Sequence, residues 1–189
     1  MSEGDGASSF PAVFFSKPPQ AITQLASIPF PTQTDDLHHE VELVVFLRSE
    51  CSNISPAEAS QHIFGYAVGV DLTKRDLQTV AKKNGKPWDQ SKGFDYSAPI
   101  SKIYRKEGSL MHEGKISLNV NGQNRQSSNL KNMAWKVDEL ISWLSKFIIL
   151  KAGDIIFTGT PSGVSRLLPN DKVEATIEDI GKLSFELIK

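Results

Sequence analysis

Within the stretch HHEVELVVFL, residues 38–47, the pattern of Glu40–Leu47 predicts a β-strand that is buried on both faces at its C-terminal end. Side chains alternate between the two faces of a strand, so residues 41, 43, 45 and 47 share one side and residues 40, 42, 44 and 46 share the other. The first set is apolar throughout, and Val44 and Phe46 make the second set apolar toward its C-terminal end. Such a strand needs packing partners on both sides at that end.

The sequence around this strand predicts more strands than helices. YAVGVD (residues 66–71) is a second apolar strand, and Asn121-Gly122 is a strong hairpin signal, because both residues tolerate positive φ. Helices are expected to start at capping boxes at residues 55–58 (SPAE) and 73–76 (TKRD), and a third is expected between Met133 and Ile148. The remaining predictions are a strand at residues 155–158 and a closing hairpin at residues 173–177 and 183–188. The helices do not alternate regularly with the strands, which indicates an α+β, β-rich fold.

Length and charge narrow the class of protein. The 189 residues fit one domain, which we place at residues 11–189 after a disordered tail at residues 1–10. Lys and Arg number 21, against 22 Asp and Glu, and this near-neutral balance disfavours nucleic acid or an anionic membrane as partner. The single cysteine, Cys51, rules out a disulfide within the chain. With no signal sequence or long apolar run, the expected location is the cytoplasm.

Three carboxylates suggest a metal site. Glu40 and Glu42 point the same way from their strand, about 7 Å apart along it, and Asp71 ends the second apolar strand. Glu40 and Glu42 would repel one another by about 2 kcal/mol, and a divalent cation would remove that repulsion. Oxygen ligands without thiolates favour magnesium, manganese or calcium. The alternatives are a solvated acidic strand end and a helix-capping role for Asp71, because sequence spacing does not show that the three residues meet.

Further candidates lie downstream. Arg75 and Gln78 are three residues apart on one helix face, where an arginine can hold a carboxylate with two hydrogen bonds. Lys92 could stabilise an enolate beside a metal. The loop TGTPSG, residues 158–163, could bind an anion through free amides and hydroxyls. Each candidate has a non-functional alternative. Arg75 and Gln78 could lie on a solvated helix face, Lys92 could be a surface lysine, and the loop could be a tight turn.

Together, and in this order, these motifs resemble the fumarylacetoacetate hydrolase family, over about residues 11–188. The combination of HHEVEL, LTKRDLQ and a later TGTPSGV is specific. The matching stretches are PAVFFSKPP (11–19), HHEVELVV (38–45), GYAVGVDLTKRDLQ (65–78), GKPWDQSKGF (85–94) and GDIIFTGTPSGV (153–164).

The resemblance implies a β-roll fold with short helices inserted, usually in homodimers, and a role for each candidate. Its small members act on acylpyruvates and oxaloacetate, so the implied reaction is metal-dependent cleavage of a C–C bond in a 2,4-dioxo acid, with release of pyruvate. Oxaloacetate decarboxylation or tautomerisation on the same site is the alternative. The implied metal ligands for Mg²⁺ or Mn²⁺ are Glu40, Glu42 and Asp71, the catalytic residues are Lys92 and Asp71, and the substrate contacts are Arg75, Gln78, Gly159 and Thr160.

Two departures from the family pattern bear on activity. Family members carry a lid segment with a motif like GxNYxxH before the FFxKPP stretch, and the sequence has no counterpart to it ahead of Phe10. A lidless protein that binds metal and 2-oxo acids without turnover is therefore a further alternative. After TGTPSGV, the family usually continues with Gly-Pro, whereas this chain has Ser165-Arg166.

Overall fold

The computed structural model describes residues 12–189, so the tail predicted for residues 1–10 lies outside the described residues. In chain order, its strands are β1 (Ile22–Thr23), β2 (Ser27–Pro29), β3 (Leu37–His39), β4 (Val41–Leu47), β5 (Ile63–Val70), β6 (Thr73–Lys74), β7 (Ala98–Pro99), β8 (Tyr104–Arg105), β9 (Lys115–Val120), β10 (Gln123–Asn129), β11 (Ile155–Phe157), β12 (Ser165–Leu167), β13 (Lys172–Ile177) and β14 (Gly181–Ile188). The α-helices are α1 (Pro56–Ala59), α2 (Arg75–Lys83), α3 (Asp89–Lys92) and α4 (Val137–Ser145).

The strands form four sheets. The largest has the order β10-β9-β13-β14-β2, and the next has the order β11-β4-β5-β8. A three-stranded sheet, β12-β3-β6, and the pair β1-β7 complete the set among residues 12–189. Pairing is antiparallel except between β14 and β2 and between β1 and β7. The predicted α+β, β-rich fold with short inserted helices is confirmed.

Strand β4 is buried at its C-terminal end, as its sequence predicts, and along the rest of its length as well. All seven of its residues are buried. Leu43 and Val45 belong to the main core, with Leu118 of β9 and Phe185 of β14. Val44 lies in a smaller apolar cluster on the opposite face. Burial on both sides holds β4 rigidly, so it is a firm support for the acidic residues at its start.

Of the sequence signals for turns and helix starts, the Asn-Gly turn and the first capping box are confirmed, and the second capping box is not. Asn121 and Gly122 both have positive φ and join β9 to β10, as predicted. At α1 the predicted capping box is present, and Ser55 N donates to Glu58 Oε2 at 2.9 Å. The box predicted to open at Thr73 is wrong, because residues 73–74 pair with β3 as strand β6 and α2 begins at Arg75.

Helix α4 is shorter than the span predicted between Met133 and Ile148. It covers Val137–Ser145, and at its start Lys136 N donates to Glu139 Oε2 at 2.8 Å. Ile148 extends the apolar periodicity of the sequence, but it lies beyond the helix with 54 % of its surface exposed. None of the helices among residues 12–189 has the length and apolar character needed to cross a bilayer.

Candidate active site

The pairing of β4 with β5 brings the three candidate carboxylates together. Val41 lies opposite Val70 in this antiparallel pair, and Asp71 N donates to the carbonyl of Glu40 at 2.8 Å just beyond it. Glu42 and Asp71 thereby approach Glu40, and one carboxylate oxygen from each residue lies within 4.8 Å of the others. All three residues are buried. The solvated acidic strand end considered above is therefore not what the chain forms.

Lys92 extends into this acidic cluster from α3. Its ammonium donates to Glu40 Oε2 at 2.8 Å, to Asp71 Oδ2 at 2.5 Å and to Thr73 Oγ1 at 2.5 Å. The side chain is only 2 % exposed, which excludes the surface-lysine alternative. Three oxygen partners fix the position of the ammonium.

Arg75 and Gln78 lie on one face of α2 beside the cluster. Arg75 donates to Glu40 Oε1 at 2.5 Å and to Gln78 Oε1 at 2.5 Å. Gln78 is buried, and Nε of Arg75 is buried without a hydrogen-bond partner among residues 12–189. Arg75 thus has an unused donor in addition to the two that bind Glu40 and Gln78.

The 158–163 loop closes another side of the cluster. Gly159 N donates to Glu42 Oε2 at 2.6 Å, and Thr158 Oγ1 anchors the loop by donating to the carbonyl of Leu43 at 2.9 Å. Gly159 has φ +93°, a backbone conformation that residues with a side chain rarely adopt. The hydroxyl of Thr160, half-buried, accepts a hydrogen bond from Gln126 Nε2 at 2.9 Å.

Lys17 is a member of the cluster that sequence reasoning missed. Its ammonium lies 2.8 Å from Asp71 Oδ1 and 2.9 Å from Ser97 Oγ, and it also donates to the backbone carbonyls of Lys92 and Ser97. The residue stands in the FFSKPP stretch that carries part of the family resemblance. The sequence signal that could have found Lys17 is its position directly before two prolines. No local sequence pattern, however, indicates that its side chain is buried against Asp71.

Gln126 was also missed, although it links the loop to β3 and β4. Its Oε1 lies 2.8 Å from His39 Nδ1 and accepts from Val41 N at 3.1 Å. Because Oε1 can only accept, His39 Nδ1 must donate, so Nε2 accepts from the hydroxyl of Ser165 at 2.8 Å. Burial lowers the pKa of His39, which is consistent with a neutral ring. Ser165, one of the two departures from the family pattern, thus supplies a partner to this buried histidine.

Charge is distributed unevenly over the cluster. Burial, aided by the charges of Asp71 and Glu40, raises the pKa of Glu42 well above its usual range. No basic side chain lies within ion-pair distance of Glu42 among residues 12–189. Burial alone would also raise the pKa of Glu40, but Lys92 and Arg75 outweigh it and hold that pKa below its usual value. Negative charge is therefore least compensated at Glu42.

The residues present fit a divalent cation. Three carboxylates converge, all donors are hard oxygens, and Glu42 lacks a cationic partner in the described chain. Asp71 Oδ1 is buried and accepts no well-aligned hydrogen bond, although Lys17 is in ion-pair contact with it. Magnesium and manganese prefer this donor set.

Comparison with known proteins gives consistent matches. The family model described as "Fumarylacetoacetate (FAA) hydrolase C-terminal" matches residues 2–188. Fumarylpyruvate hydrolase of Ralstonia sp. is 39 % identical over 92 % of this chain and 91 % of its own length. The human mitochondrial oxaloacetate tautomerase FAHD1 is 40 % identical over 94 % and 81 %. The crystal structure of fumarylpyruvate hydrolase from Pseudomonas aeruginosa, in complex with Mn²⁺ and pyruvate, superposes with a TM-score of 0.92 at 36 % identity, over 95 % and 80 %.

Proposed function

Because the chain belongs to the fumarylacetoacetate hydrolase family, we propose that it is a divalent-metal-dependent hydrolase that cleaves a C–C bond of acylpyruvate-like 2,4-dioxo acids and releases pyruvate. The observation that carries the proposal is the buried cluster of Glu40, Glu42 and Asp71 with the ammonium of Lys92 against it. The solved relative in complex with Mn²⁺ and pyruvate supports both the metal and the product.

The metal would be held by the carboxylates of Glu40, Glu42 and Asp71. When bound there, a divalent cation would supply positive charge beside the carboxylate and 2-oxo group of the substrate. Glu40 is oriented for this role by Arg75, and Glu42 by the amide of Gly159. Neither carboxylate needs to move far to present an oxygen to the shared space, because the three already lie within 4.8 Å.

The residues around the cluster would hold the pyruvoyl end of the substrate. Arg75 keeps a second N–H on each terminal nitrogen beside its bonds to Gln78 and Glu40, and Gln78 lies buried beside it. From the opposite side, Gly159 and Thr160 offer the flexible backbone and hydroxyl of the loop, which suit a carboxylate. Together they would fix the substrate with its 4-oxo carbon away from the cluster.

Lys92 would act on the charge that develops during cleavage. Water adds to the 4-oxo carbon, the C3–C4 bond breaks, the acyl part leaves as a carboxylic acid, and the bonding electron pair passes to pyruvate as its enolate. In the metal-free chain Glu40, Asp71 and Thr73 take all three N–H groups of Lys92. Once Glu40 turns to a bound metal, the ammonium, still held by Asp71 and Thr73, would donate a hydrogen bond to the enolate oxygen. The second proton of the attacking water, delivered to C3 of the enolate, then completes pyruvate. Asp71 therefore has a second role, as the group that positions Lys92.

A second candidate function is oxaloacetate tautomerisation or decarboxylation on the same site. The human tautomerase that is 40 % identical favours it. Both reactions of oxaloacetate pass through an enol or enolate of the kind that Lys92 would stabilise. The residues proposed for the hydrolase therefore serve this chemistry without rearrangement.

The metal is proposed to be Mg²⁺ or Mn²⁺, and the protein a cytoplasmic homodimer without nucleic-acid or membrane partners. Phe147, Ile148 and Ile149 are exposed by 65 %, 54 % and 54 %, and adjacent apolar residues of this kind often mark a protein interface. The net charge of −1 supports the absence of polyanionic partners. Light scattering on the purified chain tests the dimer, and a monomer at micromolar concentration would contradict it.

Pyruvate release from acetylpyruvate, with Mg²⁺ or Mn²⁺ added and a chelator blank, tests the proposed function. We expect metal-dependent turnover in the wild type and a loss of about 100-fold or more in Lys92→Met. Lys182→Met, the same change at an exposed strand position, is the matched control. No pyruvate release from folded, metal-loaded protein would contradict the hydrolase and favour the protein that only binds, whereas turnover of oxaloacetate alone would favour the second function.

A further inference from the structure

A continuous series of hydrogen bonds runs from Ser165 to Thr160 through two buried side chains. Ser165 Oγ lies 2.8 Å from Nε2 of His39, and Nδ1 of the same ring lies 2.8 Å from Gln126 Oε1. Gln126 Nε2 in turn lies 2.9 Å from Thr160 Oγ1. His39 and Gln126 are 0 % and 1 % exposed, so bulk water does not reach the inner links. We call these four residues the relay.

Strand pairing and a β-bulge place the two inner side chains of the relay. Ser165 lies directly opposite His39 in the antiparallel pair of β12 and β3. The register of β10 with β9 shifts between Asn124 and Gln126, and a bulge of this kind re-aims a side chain. Gln126 is thereby buried in a strand whose other residues are exposed or half-buried. The backbones of β3, β10 and β12 therefore fix the positions of these side chains.

The backbone around Gln126 determines which way its amide points. Val41 N donates to Oε1 at 3.1 Å, and Nε2 donates to the carbonyl of Pro161 at 3.0 Å. A backbone N–H only donates and a backbone carbonyl only accepts, so the two ends of the amide cannot be exchanged. Nε2 therefore donates to Thr160 as well, and Thr160 Oγ1 must accept. The hydroxyl proton of Thr160 is not used in this contact and is available to an acceptor outside the relay.

Thr160 lies beside the carboxylate cluster. Gly159, its neighbour in the sequence, donates its amide N–H to Glu42 Oε2 at 2.6 Å. Gln126, its partner in the relay, accepts from the amide of Val41, the residue directly before Glu42. A hydroxyl at this place whose proton is left to donate is a partner for an anionic oxygen.

We propose that Ser165 is a positioning residue, which acts through His39 and Gln126 to present the Thr160 hydroxyl as a hydrogen-bond donor to the carboxylate of the 2-oxo acid. The contact between Thr160 and the substrate rests on the proposed function. Because His39 Nδ1 must donate to Gln126, Nε2 accepts from Ser165, and the Ser165 hydroxyl favours the ring form that the relay needs. Without that hydroxyl, Nε2 is a buried acceptor without its donor. A move of the ring proton to Nε2 would then set two acceptors against each other at Gln126.

The ring form of His39 can be measured without turnover and without metal. Spectra of the metal-free protein labelled with ¹⁵N in histidine should show the His39 proton on Nδ1, the signal being assigned by its absence in His39→Asn. Ser165→Ala should move the Nε2 resonance, whereas Ser165→Thr, which keeps the hydroxyl, should leave it near its wild-type position. A proton on Nε2 in the wild type would overturn the proposal, even if Ser165→Ala is too unstable to study.

Pyruvate binding tests the substrate end of the relay. Titration of pyruvate into the Mn²⁺-loaded chain should show about tenfold weaker binding in Thr160→Val, which loses the donor, and about fivefold weaker binding in Ser165→Ala. The double variant should match Thr160→Val to within about twofold, because both changes act on the same hydrogen bond. Ser165→Thr should bind as the wild type does, and so should Ser184→Ala, a matched change at an exposed position of β14.

Metal titration separates a positioning role from a general structural one, because Mn²⁺ should bind each variant as it binds the wild type. Equal pyruvate binding by the wild type and Ser165→Ala, losses that add in the double variant, or a parallel loss of Mn²⁺ affinity would each overturn the proposal. A wild type that binds no pyruvate would remove the proposed function and, with it, the role of Thr160. If the expected pattern is found but acetylpyruvate is not cleaved, the relay stands and the proposed hydrolase activity fails.

Discussion

Lys17 Nζ and Asp71 Oδ1 lie 2.8 Å apart, so Asp71 is held between two ammonium groups, with Lys92 at its other carboxylate oxygen. Lys17 also binds the backbone carbonyl of Lys92 and the hydroxyl of Ser97. The same side chain therefore positions a candidate metal ligand and the end of helix α3, which carries the candidate catalytic lysine.

Lys17→Met should destabilise the metal-free protein by about 2–3 kcal/mol, because it leaves buried acceptors and a buried carboxylate without their partner. Mn²⁺ should bind more tightly to the variant, because a positive charge that competes for Asp71 has gone. Thermal unfolding with chelator and Mn²⁺ titration measure the two effects. Lys182→Met is the control, and weaker Mn²⁺ binding in Lys17→Met would show that Lys17 orders the site more than it competes.

Glu42 should make the stability of the metal-free protein depend on pH. The folded state raises its pKa well above 4.5, so it retains this proton where the unfolded chain has lost it. The contribution of Glu42 to the free energy of unfolding is therefore full below about pH 4.5 and is lost as the pH rises through the folded pKa. Glu42→Gln should lessen that loss, raise the Tm near neutrality and weaken Mn²⁺ binding by about tenfold or more.

Thermal unfolding of the wild type and of Glu42→Gln from about pH 4.5 to neutrality, with chelator present, measures this pH dependence of stability. Glu174→Gln, on the exposed face of β13, is the matched control. Identical pH profiles for wild type and Glu42→Gln would mean that Glu42 is already ionised in the folded protein without metal.

Gln126→Leu should loosen the substrate loop without removing a metal ligand. The change leaves the buried groups His39 Nδ1 and Val41 N without their acceptor, at a cost of about 2 kcal/mol, and frees Thr160. KM for the 2-oxo acid should rise while Mn²⁺ affinity stays within about twofold. Steady-state kinetics and metal titration separate the two, with Gln123→Leu on the exposed part of the same strand as control. Lost Mn²⁺ binding would show that Gln126 supports the carboxylates instead.

Gly69→Ala should disturb the cluster through packing. Gly69 lies opposite Glu42 in the β4–β5 pair. A Cβ at this position would collide with a methyl group of Val44 and lie 2.7 Å from Cε1 of Phe157. We expect destabilisation of about 1–3 kcal/mol and weaker metal binding, measured by thermal unfolding and titration. An unchanged Tm would mean that the ring of Phe157 moves aside freely.

The central strands were predictable because their signals are repetitive. In β4 several alternating apolar residues agree with one another, and the apolar run before Asp71 locates β5. The register between β4 and β5 was not predictable, since no local pattern indicates that Asp71 lies beside Glu40. That proximity follows from the backbone pairing of β4 with β5, which forms only in the folded chain.

Single residues whose role depends on distant partners were not predictable from local patterns. Thr73 has the residue types of a capping box around it, but pairing of β6 with β3 takes its backbone into a sheet. Gln126 is the one buried residue of β10. Its role depends on its hydrogen bonds with His39 and Thr160, which are distant from it in the sequence. The sequence pattern named Lys92 and the 158–163 loop as candidates and the resemblance implied their roles, whereas the contacts of Lys17 and Gln126 are visible only in the folded structure.

The hydrogen bond from Gly159 N to Glu42 joins residues 117 positions apart. A ribosome must therefore translate most of the chain before this carboxylate meets its backbone donor. Contacts of such long sequence separation form slowly and late, because much chain entropy is lost in closing the loop. Nascent chains released early would carry Glu40, Glu42 and Asp71 without the 158–163 loop. We therefore expect capture of the proposed metal to be one of the last events in the biosynthesis of this protein, and truncated chains to bind it weakly.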